Sequence, residues 1–298
     1  MKLEKPSIEE AATRALHRES ESAHFYSKSG EPQYTQKILS GPNKGKDRPT
    51  NLADARKFDL LPSITTIHKV KAERMLTQYR EKHLMKACFE NRPRADEVPD
   101  DYFDRILRAA REDSMAAAKL GTGYHDIFET MLRGGEWDKS DPRLVIVNKW
   151  MQENIEDVLW LEESLVNLEM GVGGKADAFV IMRGKKTLLD WKTRRFKPLK
   201  KEPFWLCNWY KSDCRQLAFY GNCIEKQTRE KIRVANVGMN TRAVSDLSLK
   251  IWTREERQWG LKVVKCVNVL WQHENNYIPK SAAMEAKDGK RQVPTHTD

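Results

Sequence analysis

No stretch of this 298-residue chain approaches the roughly 20 consecutive apolar residues that a helix needs to cross a bilayer, so a membrane-spanning protein is not expected. The first ten residues, MKLEKPSIEE, lack the apolar core of a secretory signal. Cysteine is scarce: Cys88, Cys207, Cys214, Cys223 and Cys266 are odd in number and include no Cys-x-x-Cys pair. That argues against zinc and disulfide frameworks and for reduced thiols, with the cytoplasm as the expected location. A phosphate-binding loop is missing too, because GPNKGKD and GVGGKAD have neither the spacing nor the Ser/Thr of the Walker A pattern. The doublet His125-Asp126 would suit an HD-type metal phosphohydrolase. Such a site needs further clustered histidines, and the seven histidines here supply no second pair.

What is present is a soluble globular profile, 39% hydrophobic and 32% charged, long enough for one large α/β domain or two small ones. Lys and Arg outnumber Asp and Glu by 53 to 43, a formal charge of +10. The excess favours a polyanionic partner, since each phosphate met by Lys or Arg releases condensed counterions.

Residues 1–60 are polar and mixed, punctuated by Gly30, Gly41, Pro42, Gly45 and Pro49. They read as an N-terminal extension, a leading helix followed by a hairpin or loops. LPSITTI (61–67) opens a helix capped by Ser63, Thr65 or Thr66 and expected to run to about Phe89. NRPRADEVPDD (91–101) is a break. Helical spacing returns from Tyr102 to about Leu132 and from about Pro142 to Val158. The period then shortens, predicting strands over 163–170, 177–182 and 187–191 separated by GVGG and RGKK turns. After a basic loop (194–203), the pattern predicts a helix over 212–226, a strand over 231–240, a closing helix over 254–274 and a polar tail over 275–298. The order implies an α/β main domain over 61–274, its core in 115–240, wrapped by a helical region at its N-terminal side.

Chemistry concentrates in ESLVNLEMGVGGKADAFVIMRGKKTLLDWKT (163–193). Asp190 and Lys192 bracket Trp191 and, two apart on a strand, project to the same face. A hairpin through RGKK brings Asp177, expected after a Gly-Lys-Ala turn at the start of its strand, onto the neighbouring strand. Two close carboxylates repel, and a divalent cation removes that penalty. Mg²⁺ wants hard oxygen ligands and keeps waters and a phosphate oxygen. Taken alone, the Asp-x-Lys triplet reads first as an ordinary strand-end ion pair, with Asp177 a turn residue.

The surrounding pattern decides between them. Gly-x-x-Asp, a short hairpin and then apolar-apolar-Asp-Trp-Lys-Thr resembles the PD-(D/E)xK nuclease superfamily, and within it the RecB-like exonucleases. GTGYHDIFE matches that family's upstream helix-borne histidine at His125, and RQLAFYG matches its downstream Gln-x-x-x-Tyr at Gln216 and Tyr220. Glu163 fits the glutamate that often opens the first core strand. LPSITTI is similar to the Pro-Ser-Val-Thr opening of the mitochondrial genome maintenance exonuclease and of many phage exonucleases. The resemblance covers about residues 61–226 and implies a restriction-endonuclease-like core, a small mixed sheet flanked by helices. It further implies that His125, Asp177, Asp190 and the Trp191 carbonyl bind Mg²⁺ or Mn²⁺. Lys192 would then position the attacking water, and Gln216 and Tyr220 would contact substrate or steady Lys192. Some relatives hold an iron–sulfur cluster on a C-terminal cysteine group; here only Cys266 lies beyond Cys223, so none is expected.

The implied activity is a metal-dependent DNA exonuclease working from DNA ends, single-stranded by preference, in phage or organellar-type replication, recombination or repair. Its location would be the host cytoplasm if phage-encoded. Without a Walker A loop, unwinding would come from a partner such as a helicase, with a polymerase or recombination protein as other candidates. Beyond the active site, Arg194, Arg195, Lys197, Lys200 and Lys201 suit phosphates, with Phe204, Trp205 or Trp209 to stack on bases. The same segment also reads as a solvated basic loop over core aromatics. An endonuclease or adaptation-type nuclease of the same superfamily, and a catalytically silent DNA-binding protein on the same fold, are the rival readings.

Overall fold

The computed structural model describes residues 24–71, 74–198 and 205–282. These form two compact units, 71–124 in one and 24–70 with 125–282 in the other.

The first part of the larger unit carries β1 (Phe25–Tyr26), the hairpin β2 (Thr35–Lys37) and β3 (Asp47–Pro49), α1 (Leu52–Phe58), β4 (Leu61–Pro62) and α2 (Ile64–His68). Of the possible caps, Ser63 is the one used: its hydroxyl accepts from the Thr66 N–H at 3.0 Å. The helix expected to run on to Phe89 ends at His68, and a turn at residues 69–71 follows it. The smaller unit holds α3 (Arg74–Glu90) and most of α4 (Pro99–Leu132), whose start has Pro99 at N1 and Asp100 and Asp101 in the first turn. From His125 onward α4 belongs to the larger unit.

There follow α5 (Pro142–Asn154), β5 (Ile155–Asn167), β6 (Val172–Met182), β7 (Lys185–Arg194), β8 (Lys197–Pro198), β9 (Trp205–Leu206), α6 (Lys211–Thr228), β10 (Arg233–Asn240), β11 (Ser248–Ile251) and α7 (Arg254–Glu274). The result is a mixed α/β fold around a five-stranded sheet of order β11-β10-β7-β6-β5. All neighbours are antiparallel except β7 and β10, which run parallel across the α6 connection. Among the described residues no helix is long and apolar enough to cross a membrane.

Several strand boundaries differ from the sequence reading. The helix expected to reach Val158 stops at Asn154, where the chain turns directly into β5, eight residues ahead of the expected strand start at Glu163. GVGG is not a turn. The turn is 168–171, closed by Gly171 at φ +65°, while Val172, Gly173 and Gly174 already lie in β6. These glycines give neighbouring rings close approach: a methyl on Gly174 would lie 2.6 Å from the Tyr220 hydroxyl, and one on Gly173 about 3.1 Å from Tyr26. Asp177 therefore sits in mid-strand rather than at a strand start. The RGKK turn is confirmed and shortened to Arg183-Gly184, both at positive φ, as a two-residue type I′ hairpin demands.

The central strand β7 is buried on both faces from Thr187 to Trp191, which explains its nearly continuous apolar run. Beside it α6 buries Leu217, Phe219 and Tyr220, and α7 buries Val264, Val267 and Trp271. Among the thiols, Cys88 and Cys266 are exposed, whereas Cys207, Cys214 and Cys223 are buried. Burial pushes the Cys214 thiol up to about 11 and that of Cys223 up to about 12. Brief treatment of the native protein with iodoacetamide is expected to alkylate Cys88 and Cys266 and spare the other three, as read by peptide mass mapping.

Candidate active site

The β6–β7 ladder pairs residues from Met182↔Lys185 up to Ala178↔Leu189. One step further along that register stand Asp177 and Asp190. There the strands part, and the Asp177 carboxylate takes the place of a ladder acceptor, its Oδ2 accepting the Trp191 N–H at 2.8 Å. The other ring of the site comes from helices. His125, on α4, brings Nδ1 to 3.5 Å from Asp177 Oδ2. Gln216, on α6, brings Oε1 to 3.3 Å from the Lys192 ammonium. Lys192 in turn lies 2.7 Å from Asp190 Oδ2 and 2.9 Å from Oδ1. Tyr220, one turn beyond Gln216, is buried and interacts with it. Thus Asp177, Asp190, Lys192, His125, Gln216 and Tyr220 are brought together.

The electrostatics follow from burial and mutual charge. Burial, then the neighbouring Asp190 charge, holds the Asp177 carboxyl well above the usual carboxylate range. Burial also depresses His125, against the pull of Asp190, so its imidazole is neutral and retains a lone pair. For Lys192 burial alone would favour the neutral amine, but Asp190 and Asp177 outweigh it and keep the ammonium charged. Burial raises the Tyr220 phenol above its ordinary value, leaving it a hydroxyl donor.

Two further residues stand beside this cluster, and the sequence reading missed both. Asn236, on β10, stands beside Asp190 in the parallel register and donates Nδ2–H to Asp190 Oδ2 at 2.5 Å. Its own Oδ1 accepts the Trp252 indole N–H at 2.6 Å. An indole N–H can only donate, so it fixes the amide with its NH₂ toward the carboxylate. The available signal was a lone polar residue inside the apolar run VANVGM, since buried polar groups require partners. The other is Glu162, at φ +55°, whose charge acts on both Asp177 and His125 and which pairs with Lys175 at 2.5 Å. Glu163, expected in this position, is a correction: it is exposed and pairs in register with Ala176, out of the cluster. The sheet's period of two explains why a one-residue error exchanges faces.

The basic segment is also revised in part. Arg194 is engaged internally, donating to Asp213 Oδ1 and the Asn208 carbonyl at 2.6 Å each and lying over the Tyr210 ring at 4.6 Å. It braces β7 against the start of α6 and is not a free phosphate contact. Trp209 is half-buried, with its ring edge against Gly238. Arg195 and Lys197 are exposed. Lys200, Lys201 and Phe204 lie outside the described residues, as does the Trp205 side chain.

The donor set suits a divalent cation: two carboxylates whose proximity is unfavourable without one, a neutral imidazole and the Trp191 backbone carbonyl. Among the described residues, no three His, Cys, Asp or Glu side chains converge as a ready-made metal group. Asp190 is engaged instead by Lys192 and Asn236. A cation would share Asp190 with them.

No protein-family model and no curated protein matches this chain. Among solved structures it is similar to a candidate exonuclease from Eubacterium rectale, with 17% identity over 59% of this chain and a TM-score of 0.36. The match spans 64% of that protein's length. It is also similar to the protein SSO0001, with 13% identity over 66% of this chain and 87% of that one, and a TM-score of 0.29.

Proposed function

We propose that the protein is a metal-dependent deoxyribonuclease of the PD-(D/E)xK type, hydrolysing phosphodiester bonds from DNA ends. The observation that carries this reading is the convergence of Asp177, Asp190 and Lys192 with His125 and Gln216 at the point where β6 and β7 part. The small mixed sheet between helices and the net charge of +10 support it. Asp177, Asp190, His125 and the Trp191 carbonyl would hold Mg²⁺ or Mn²⁺. When bound, such a cation lowers the pKa of a water and stabilises charge developing on phosphorus. Lys192, held as an ammonium between Asp190 and Gln216, orients that water or steadies a phosphate oxygen; being charged, it does not take a proton. Gln216, itself bonded to Tyr220, steadies the Lys192 head group from α6. Arg195 and Lys197 are exposed to meet phosphates further along the strand.

Ligand linkage gives a test independent of turnover. At about a hundred times its Kd, Mn²⁺ is expected to stabilise the folded protein by about 2.7 kcal/mol. The gain, read as a rise in Tm, should vanish in Asp177→Asn and Asp190→Asn. Because the Asp177 carboxyl is raised, acid protonates it early. The gain should therefore grow as pH rises and fade as pH falls. Equal shifts in wild type and both variants would sink the metal assignment.

The activity itself is tested with end-labelled single- and double-stranded linear DNA and a closed single-stranded circle, each with Mg²⁺, Mn²⁺ or EDTA. Metal-dependent loss of linear DNA with the circle spared is expected. Cutting of the circle would make the protein an endonuclease on the same chemistry. Binding without cleavage under either metal would leave a DNA-binding protein.

A further inference from the structure

A second basic element rises from the same unit as the site. The β2–β3 hairpin, residues 35–49, carries Lys37, Lys44, Lys46 and Arg48 against one acid, Asp47, which pairs with Lys37 at 2.8 Å. Beyond its short strands the hairpin stays ordered by its own hydrogen bonds. Ile38 N–H donates to the Lys46 carbonyl at 2.9 Å, Gly45 N–H to that of Ile38 at 2.8 Å, and Lys44 N–H to that of Gly41 at 3.1 Å. Gly41 and Gly45, both at positive φ, have open space where a side chain would be. Among the described residues of its unit the tip therefore stands clear. On it Leu39 is 72% exposed, and Lys37, Lys44 and Lys46 of the same hairpin are exposed as well.

The root of the hairpin is fixed close to the site. Arg48 pairs with Asp54, Thr50 N–H donates to the Tyr34 carbonyl at 2.9 Å, and the Tyr34 and Tyr26 hydroxyls are 2.6 Å apart. Tyr26 lies on Gly173. Gly173 and Asp177 are four residues apart on β6, about 13 Å at roughly 3.3 Å per residue.

We propose that this hairpin is a second DNA contact, in which Lys37, Lys44 and Lys46 meet phosphates and Leu39 packs on the last base pair where duplex gives way to single strand. The inference rests on the nuclease reading and names the form of its substrate. Lysines alone would suit any phosphate backbone. An apolar side chain presented among them gains nothing from phosphate or water, but it gains from the exposed face of a base pair. A junction held there lies on the same unit as Asp177 and Asp190.

The test is fluorescence anisotropy in EDTA with two labelled probes, a single strand and a duplex bearing a single-stranded tail. The Lys37→Ala/Lys44→Ala/Lys46→Ala variant is expected to bind the tailed duplex about tenfold or more weakly, with the log–log salt slope reduced by about 2–3. The matching Lys→Arg triple should restore binding, and Lys262→Ala/Lys265→Ala on α7 should leave it unchanged. Leu39→Ser should lose the preference for the tailed duplex while keeping the salt slope. Wild-type affinity and slope in the Lys→Ala triple would overturn the contact, and an unchanged preference in Leu39→Ser would overturn the junction. Cleavage is absent from this assay, so the two readings fail separately. Hairpin-dependent binding by a protein that cuts nothing would remove the nuclease reading alone, and cleavage with hairpin-independent binding would remove this proposal alone.

Discussion

Lys192→Met is expected to lower the rate of DNA hydrolysis by roughly 10²–10⁴-fold, the usual worth of a positioned proton-handling or charge-stabilising group. The Lys192 ammonium lies within 2.9 Å of both Asp190 oxygens and 3.3 Å from Gln216 Oε1, so it is a held cation rather than a mobile surface charge. Methionine keeps the apolar stem and removes the charge. Asp190→Asn keeps the shape of the other partner and should cost as much, because it removes the carboxylate to which Lys192 and Asn236 are both aimed. The measurement is the initial rate of nucleotide release at saturating DNA, with the folded state of each variant checked by circular dichroism. Activity within a few-fold of wild type in Lys192→Met would place the chemistry elsewhere.

Asn236→Leu should be the most destabilising single change around the site. It strands the buried Trp252 indole N–H and takes one of two donors from Asp190 Oδ2, which keeps Lys192. An orphaned buried donor costs about 1–3 kcal/mol, so the loss should be about 1–3 kcal/mol. The readout is the urea midpoint at constant m. Adding Trp252→Phe removes the stranded indole donor and should recover roughly 1 kcal/mol of that loss. A single-variant loss below about 1 kcal/mol would show that the Trp252 indole does not depend on Asn236 for its partner.

The elements that could be read from the residues are those whose signals are local. α7 begins and ends where its pattern says, because Thr253 and Glu256 form a capping box and a sustained helical period follows. Arg183-Gly184 declares a hairpin, and that hairpin alone places Asp177 and Asp190 on adjacent strands. Gln216 and Tyr220 are one turn apart on any helix. Less was legible where glycine means close packing instead of a turn. Gly173 and Gly174 look like loop residues and are in β6, left bare so that the rings of Tyr26 and Tyr220 can approach. Glu162 and Glu163 are indistinguishable until a register is known.

By itself, then, the sequence determined the short-range features: where helices cap, where the hairpin turns, and which residue types cluster around Asp-Trp-Lys. Tertiary structure decided the pairings between residues distant along the chain. Parallel alignment of β7 with β10 puts Asn236 on Asp190, 46 residues away, and the start of α6 turns Arg194 inward onto Asp213. Capping and turn preferences are set by a few neighbouring dihedrals and hydrogen bonds. A buried carboxylate instead takes whichever donor the strand register brings within reach, and that register is set by packing across the whole sheet.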